Sequence, residues 1–516
     1  MLTKMIYLSN LMVTKQPLQI FALRLFLSLV LTLLYFVFLM GGSWGLGFTV
    51  INLLFLGALV IQRPELLSKP RNLVFLGASI AISLFFSFRA FYLGQWINQG
   101  LIIVLNSLLV LNPQGDLSLK DCLTAPIYLF FRSLVEWPEN ILTIKTYLFH
   151  QKTAGFGQKL KLAFSGVVIA IPLLAIFLVL FLNADPLFQH YFNSLLPKDF
   201  YLDIELISKI IQLGFVFALF STGFRQHTGQ PATSSWLDQV MQNRREIASA
   251  CVFIIILTGT FLAVQAQYLF ATEELLKQMG VMLSEYTRRG YTELLLVSSI
   301  SLSLILIITH RAREISQSWI KMVAWVFILE VFLLLLSASR RVYLYQEAHG
   351  FTLIRILGIL FSIWLTGTLG IFALKLWGRL KEKTLILALL INTIVVVFLM
   401  NILNPDYTIA VIRKPNLGYG IDYRYITGLS ADGYAGWEED LTAMENKSPC
   451  EGEVGAVASR LRQKHTEFQA DAKNNWHNFG SWKLSEQNAN NYIQDNYKRI
   501  MQLTEENLAC QSEGPR

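Results

Sequence analysis

Four segments of this chain place charged and hydroxylated side chains at the ends of long apolar runs. They are Asn183-Ala-Asp-Pro-Leu-Phe188, Glu285-Tyr-Thr-Arg-Arg-Gly-Tyr-Thr-Glu293, Ser337-Ala-Ser-Arg-Arg-Val-Tyr-Leu-Tyr345 and Asn404-Pro-Asp-Tyr407. The third is the densest, and it continues through Glu347 and His349 to Gly350, with Arg355 beyond. In a helix, Arg341 and Tyr345 share a face. A guanidinium grips two oxygens of a phosphate or carboxylate at once. Arg340, Arg341, Tyr345, His349 and Arg355 therefore suit an oxyanion. Interfacial anchoring fits the same residues, because Arg and Tyr reach from a helix end toward lipid phosphates.

In the second segment, Glu285–Arg289 and Arg289–Glu293 are i,i+4 pairs that leave Arg288 without a local partner. Glu293 opens an apolar run, where a carboxylate is costly unless paired. Pro186 stops the helix that ends at Asp185, so a plain helix-stop turn and a polar vestibule both account for Asn183 and Asp185. Glu330, in Phe327-Ile-Leu-Glu-Val-Phe332, is an acid deep within an apolar run. It fits a proton or cation site, or a hydrogen-bond partner for Asn106, Gln265 or Gln267. No metal-site spacing, P-loop, G-x-S-x-G or H-E-x-x-H occurs, and no cofactor is expected. No internal repeat is visible, which weakens an inverted-repeat transporter.

These groups must be positioned by membrane helices. Apolar residues make up 54% of the chain and charged residues only 15%, against roughly 25% charged in soluble domains. Apolar runs of spanning length recur at about 18–40, 44–62, 73–92, 94–112, 162–184, 204–224, 247–271, 293–310, 317–337, 352–375 and 384–403. Continuous rather than alternating runs exclude a β-barrel. The first run is too long for a signal-peptide core and reads as a retained span. With the N-terminus inside, the inner segments hold 20 Lys/Arg and the outer connections 7, Arg89 among them. That bias predicts a cytoplasmic N-terminus and an outward C-terminus. The four polar segments then all lie outside, where arginine pairs run against the usual bias.

The expected fold is all-α: a polytopic bundle of about 11 spans with a small, mostly helical extracytoplasmic C-terminal domain. Residues 1–112 form four spans and 113–161 a cytoplasmic amphipathic or interfacial segment, or a loop packed on the bundle. Residues 162–403 form a seven-helix core, and 404–516 the exported domain. From Asn404 onward there are 12 Lys/Arg against 16 Asp/Glu, so the net +8 of the chain leaves +12 on the membrane part. Basic loops beside helices explain this without nucleic acid. Trp437, Trp476 and Trp482 are candidate core anchors of the tail, and Glu453–Phe468 and Gln487–Leu508 read as its helices. Ser339–Ala348 reads as an extension of the ninth span beyond the bilayer, stopped at Gly350, with Thr352 as the next N-cap. Cys450 and Cys510 share the exported tail and form a candidate disulfide.

The order of the motifs resembles an uncharacterised bacterial membrane family, domain of unknown function 4173, and its relative numbered 4153. The matching text is Asn183-Ala-Asp-Pro-Leu-Phe188; Tyr286-Thr-Arg-Arg-Gly-Tyr291 with Glu293; Ser337-Ala-Ser-Arg-Arg341 with Tyr345 and His349-Gly-Phe-Thr-Leu-Ile-Arg355; Asn404-Pro-Asp406 with Ile409-Ala410; and Asp422-Tyr-Arg-Tyr425 before Leu429-Ser-Ala-Asp432. The resemblance implies a bacterial integral membrane protein, and so the cytoplasmic membrane. It implies no activity.

Three functions follow as expectations. The first is a binding or scaffold role, in which Asp185, Arg288, Glu293, Arg340, Arg341, Tyr345, His349 and Arg355 form one outward cluster for an anionic lipid or envelope component. A polyprenyl phosphate and an extracytoplasmic protein are candidate partners. The second is an envelope transferase using a lipid-linked phosphate donor, with the arginines stabilising pyrophosphate and His349, Glu293 or Asp185 as base. The third is a proton-coupled transporter using Glu330.

Overall fold

Apolar runs without interior proline can satisfy their backbone away from water by coiling into helices. The structure, a computed structural model, describes residues 18–40, 44–111, 117, 121–133, 204–225, most of 251–263 and of 295–306, 318–416, 420–472 and 479–512. Its long helices are α1 (Leu18–Phe38), α2 (Leu46–Gln62), α3 (Pro70–Phe88), α4 (Tyr92–Leu111), α5 (Ile204–Phe224), α6 (Ser318–His349), α7 (Leu353–Leu376) and α8 (Glu382–Leu403). Among the described residues, six helices are long and apolar enough to cross a membrane, within α1, α3, α4, α6, α7 and α8; α2, Ser208–Phe224 and Val297–Leu306 are shorter apolar helices. The expected span 162–184 lies outside the described residues.

In α6, Val323, Phe327, Val331, Leu334, Ala338 and Val342 are buried, while Met322, Trp325, Leu329, Phe332 and Leu336 are exposed. A helix apolar on its exposed face as well as its buried one belongs in a membrane. α6 has 32 residues, about 48 Å at 1.5 Å per residue, and so outruns the bilayer core as expected. Gly350 stops it at φ +69°. Thr352 does occupy the N-cap of α7, but its hydroxyl makes no capping bond. The first helical N–H, that of Leu353, donates to the Tyr425 hydroxyl at 3.0 Å.

Helix α1 packs on α2 and α5, α2 on α3, α3 on α4, α8 on both α3 and α4, and α7 between α6 and α8. Polar side chains bind these helices where apolar surface gives little specificity. Asn106 donates to Asn52 at 2.8 Å and accepts from Ser79 at 2.8 Å. It is therefore part of an α2–α3–α4 network rather than a partner for Glu330. Asn98 of α4 and Asn401 of α8 exchange amide hydrogen bonds of 2.8 and 2.7 Å. Buried Arg63 donates to the carbonyls of Val110, Gly223 and Arg225, and so gathers the ends of α2, α4 and α5 at one face. The segment 121–133 is helical, with Cys122, Ala125 and Leu129 buried and Leu123, Ile127, Phe130 and Phe131 exposed.

The tail forms a helical domain of α9 (Tyr423–Gly428), α10 (Trp437–Glu445), α11 (Gly452–Ala472), α12 (Leu484–Asp495) and α13 (Tyr497–Ser512). Trp437 centres its core with Leu441, Met444, Val457, Leu461, Ile493 and Ile500. Trp482 stands outside that core: its indole N–H donates to Gln487 at 2.9 Å and its carbonyl accepts the Leu46 N–H at the membrane helices, while Trp476 lies outside the described residues. The run Gln487–Leu508 is two helices, because Asn496 interrupts it. Cys450 and Cys510 are joined as a disulfide, with Cα atoms 5.3 Å apart.

Candidate functional site

The helix ends near the tail form one surface. The α6–α7 turn meets the chain beyond α8: the Phe351 N–H donates to the Arg413 carbonyl at 3.1 Å, and Asn416 N–H to the His349 carbonyl at 2.9 Å. A Cβ on Gly350 would overlap the Lys414 carbonyl, so this crossing requires glycine. At α1–α2, Phe38 and Phe479 pack with ring centroids 5.3 Å apart. A Cβ on Gly480 would strike the Phe38 carbonyl. The third contact is at α3–α4, where the buried Asp432 Oδ2 accepts the N–H groups of Ala90 and Phe91 at 2.9 and 2.8 Å.

Asp406, one turn beyond α8, is also buried, and its Oδ2 accepts the Ser430 N–H at 3.0 Å. Burial raises the pKa of Asp406 above its ordinary value, against the pull of Ser430 and Lys464. Burial pushes Asp432 up to about 6, opposed by Arg89 and the Ala90 amide. Burial likewise lifts Asp440 to about 6 although Lys414 contacts it at 2.6 Å. Asp432 and Asp406 fasten the domain to the helix ends, while Asp440 holds Lys414 within the tail.

Arg89 stands in the break between α3 and α4. The runs expected at 73–92 and 94–112 divide a few residues earlier than their hydropathy suggests, and this leaves Arg89 half-buried in the connection. Its Nε is buried and unbonded, and among the described residues it has no carboxylate in ion-pair range. It lines a cavity of about 10 Å³ with Gln95, Asn98, Asn401 and Asn404, about the room one water centre needs. Asn404 closes α8 at φ +47°, and its buried Oδ1 is also unbonded. Nearby, Arg413 pairs with Glu347 at 2.9 Å and Lys414 with Asp440 at 2.6 Å.

Of the residues expected to form one cluster, Asp185, Arg288 and Glu293 lie outside the described residues, as does the side chain of Tyr345. Arg340 is half-buried, with its guanidinium carbon 5.7 Å from the Tyr343 ring centroid. Arg341 is turned inward and is 9% exposed. Arg355 donates to the Gly350 carbonyl at 2.7 Å, so part of its donor set secures the turn. Glu330 lies against Gly259, whose Cβ position is 3.1 Å from its Oε1; its Oε2 is buried with no hydrogen bond. Gln265 and Gln267 are outside the described residues. The residues not foreseen as a site are Arg89, Gln95, Asn98 and Asn401. Their only signal in the sequence is polarity interrupting apolar runs.

Residues 25–439 match the family described as Domain of unknown function (DUF4153). No curated protein and no solved structure matches the chain.

Proposed function

We propose, for a chain that belongs to the Domain of unknown function (DUF4153) family, a binding role at the outer face of the bacterial cytoplasmic membrane. The ligand is an anionic lipid or a phosphate-bearing envelope component. The observation that carries this reading is Arg89: a half-buried guanidinium with an unbonded Nε at a small cavity lined in part by Gln95, Asn98, Asn401 and Asn404, with no carboxylate in ion-pair range among the described residues although Asp432 acts on it from farther off. A partly buried guanidinium with an unmet N–H is costly, and a lipid phosphate at the mouth of the cavity, which itself has room for only about one water, would supply the missing oxygen. Arg340, near the far end of α6, provides a second cation toward the same leaflet. The C-terminal domain covers the α1–α2, α3–α4 and α6–α7 connections, and on the charge bias it is extracytoplasmic.

Native mass spectrometry of the gently purified protein tests the ligand. A phosphate-bearing lipid should remain on the wild type, fall away from Arg89→Gln and weaken in Arg340→Gln. Identical adducts on all three proteins would reduce both arginines to interfacial anchors. A tag after Arg516 that antibody reaches without permeabilisation supports the orientation; one that needs permeabilisation overturns it.

Glu330 supports a second reading, proton-coupled transport, because its Oε2 is buried and unbonded within a spanning helix. Ionisable groups there mark ion pathways. Proton-coupled flux in vesicles unchanged by Glu330→Gln ends that reading.

A further inference from the structure

We propose that the C-terminal domain carries its own ligand groove, distinct from the membrane-face cavity, that takes an acidic saccharide through Arg424 and Arg462. An open groove of about 400 Å³ runs between α9, α11 and α13, a volume within the range of small-molecule sites. Arg424 and Arg462 stand on its walls and are exposed, as is Ser459, while Thr504 and Asn507 line it with their polar groups held by backbone carbonyls.

The charges are out of keeping with their surroundings. The tail carries more acids than bases, and Lys414, Lys447, Lys483 and Arg499 all form ion pairs. Arg424 and Arg462 have none among the described residues, and Arg460 beside them has none either. Two free guanidinium forks on one groove suit carboxylate or phosphate oxygens. The exposed Ser459 hydroxyl suits a sugar hydroxyl. No aromatic ring lines the groove, so a neutral sugar has no stacking platform.

The groove is also held in shape. A Cβ on Gly455 would collide with the Asn507 amide, so α11 and α13 meet backbone to side chain at the floor. The Cys450–Cys510 disulfide ties the start of α11 to the end of α13. A site fixed in advance loses less ordering entropy on binding.

The test uses the full chain in nanodiscs of neutral lipid, with fluorescent tetragalacturonate as probe and maltotetraose as the neutral control. Tetragalacturonate should bind saturably and maltotetraose should not. Arg424→Gln/Arg462→Gln should weaken binding at least tenfold. Ser459→Trp, an exposed position, should block the groove with its charge intact, and reduction of the disulfide should weaken binding. Arg89→Gln should leave this binding unchanged, which separates the groove from the membrane-face reading. The proposal is overturned by absent binding, by equal binding of maltotetraose, by unchanged affinity in both groove variants, or by binding of phosphatidylglycerol vesicles at the groove without binding of the uronate.

Discussion

Asp432 accepts the backbone N–H of Phe91 at 2.8 Å across 341 positions of chain, on the same oxygen that takes the Ala90 N–H. This one carboxylate joins the C-terminal domain to the connection between α3 and α4, beside the half-buried Arg89. Removing it leaves two amides without their acceptor, at about 1–3 kcal/mol for each buried group left unmet. Asp432→Ala should therefore loosen the domain, seen as faster hydrogen exchange at Ala90 and Phe91. Asp432→Asn keeps an acceptor oxygen and should lose less. Unchanged exchange in the alanine variant would show that other contacts hold the domain.

The buried acids make docking sensitive to pH. Asp432 and Asp440 move from the usual 3.8 to about 6, burial being the largest cause in both. A folded value above the unfolded one means that the folded state holds protons which the unfolded state has released. The contribution of these groups is therefore full below about pH 4 and is lost as pH rises through about 6. Between pH 7.5 and 5 the domain's thermal midpoint should rise. The rise should shrink in Asp432→Asn, because the amide does not titrate and removes the buried carboxyl's share. An equal or larger rise in the variant refutes the assignment.

The disulfide closes a loop of 60 residues, for which the chain-entropy argument gives about 4 kcal/mol. Cys450→Ser/Cys510→Ser should lower the midpoint of the C-terminal domain, and reductant should do the same to the wild type only. A variant as stable as the wild type would mean that α11 and α13 pack adequately without the bond.

Within the membrane helices, Asn98 and Asn401 satisfy each other's amides. Asn401→Leu strands the Asn98 amide, and Asn98→Leu/Asn401→Leu removes both. A double-mutant cycle should return a coupling of about 0.6–1.7 kcal/mol. Zero coupling would indicate that water or backbone replaces the lost partner.

The helical character and most element positions were legible in the sequence, because membrane helices declare themselves by length and hydropathy alone. The extension of α6 to His349 and its stop at Gly350 were legible too, since both depend on local backbone chemistry. Helix partners were not. Asn106 looked available for Glu330 because hydropathy gives no azimuth, and packing turned it toward Asn52 and Ser79. Thr352 has the right type for a cap, but its hydroxyl makes no capping bond; the first helical N–H, that of Leu353, meets the hydroxyl of Tyr425, seventy-two positions on.

The candidate site divides in the same way. By itself the sequence determined which groups stand at the helix ends: Arg340, Arg341 and Arg355, and the Asn404–Asp406 and Asp432 motifs. These are one-dimensional facts, set by where apolar runs stop. Only the tertiary structure decided that Arg341 turns inward, that Asp406 and Asp432 are spent on fastening a domain, and that Arg89 stands at a small cavity with Gln95, Asn98, Asn401 and Asn404. Burial and hydrogen-bond pairing are properties of neighbours, and the neighbours here come from the opposite end of the chain.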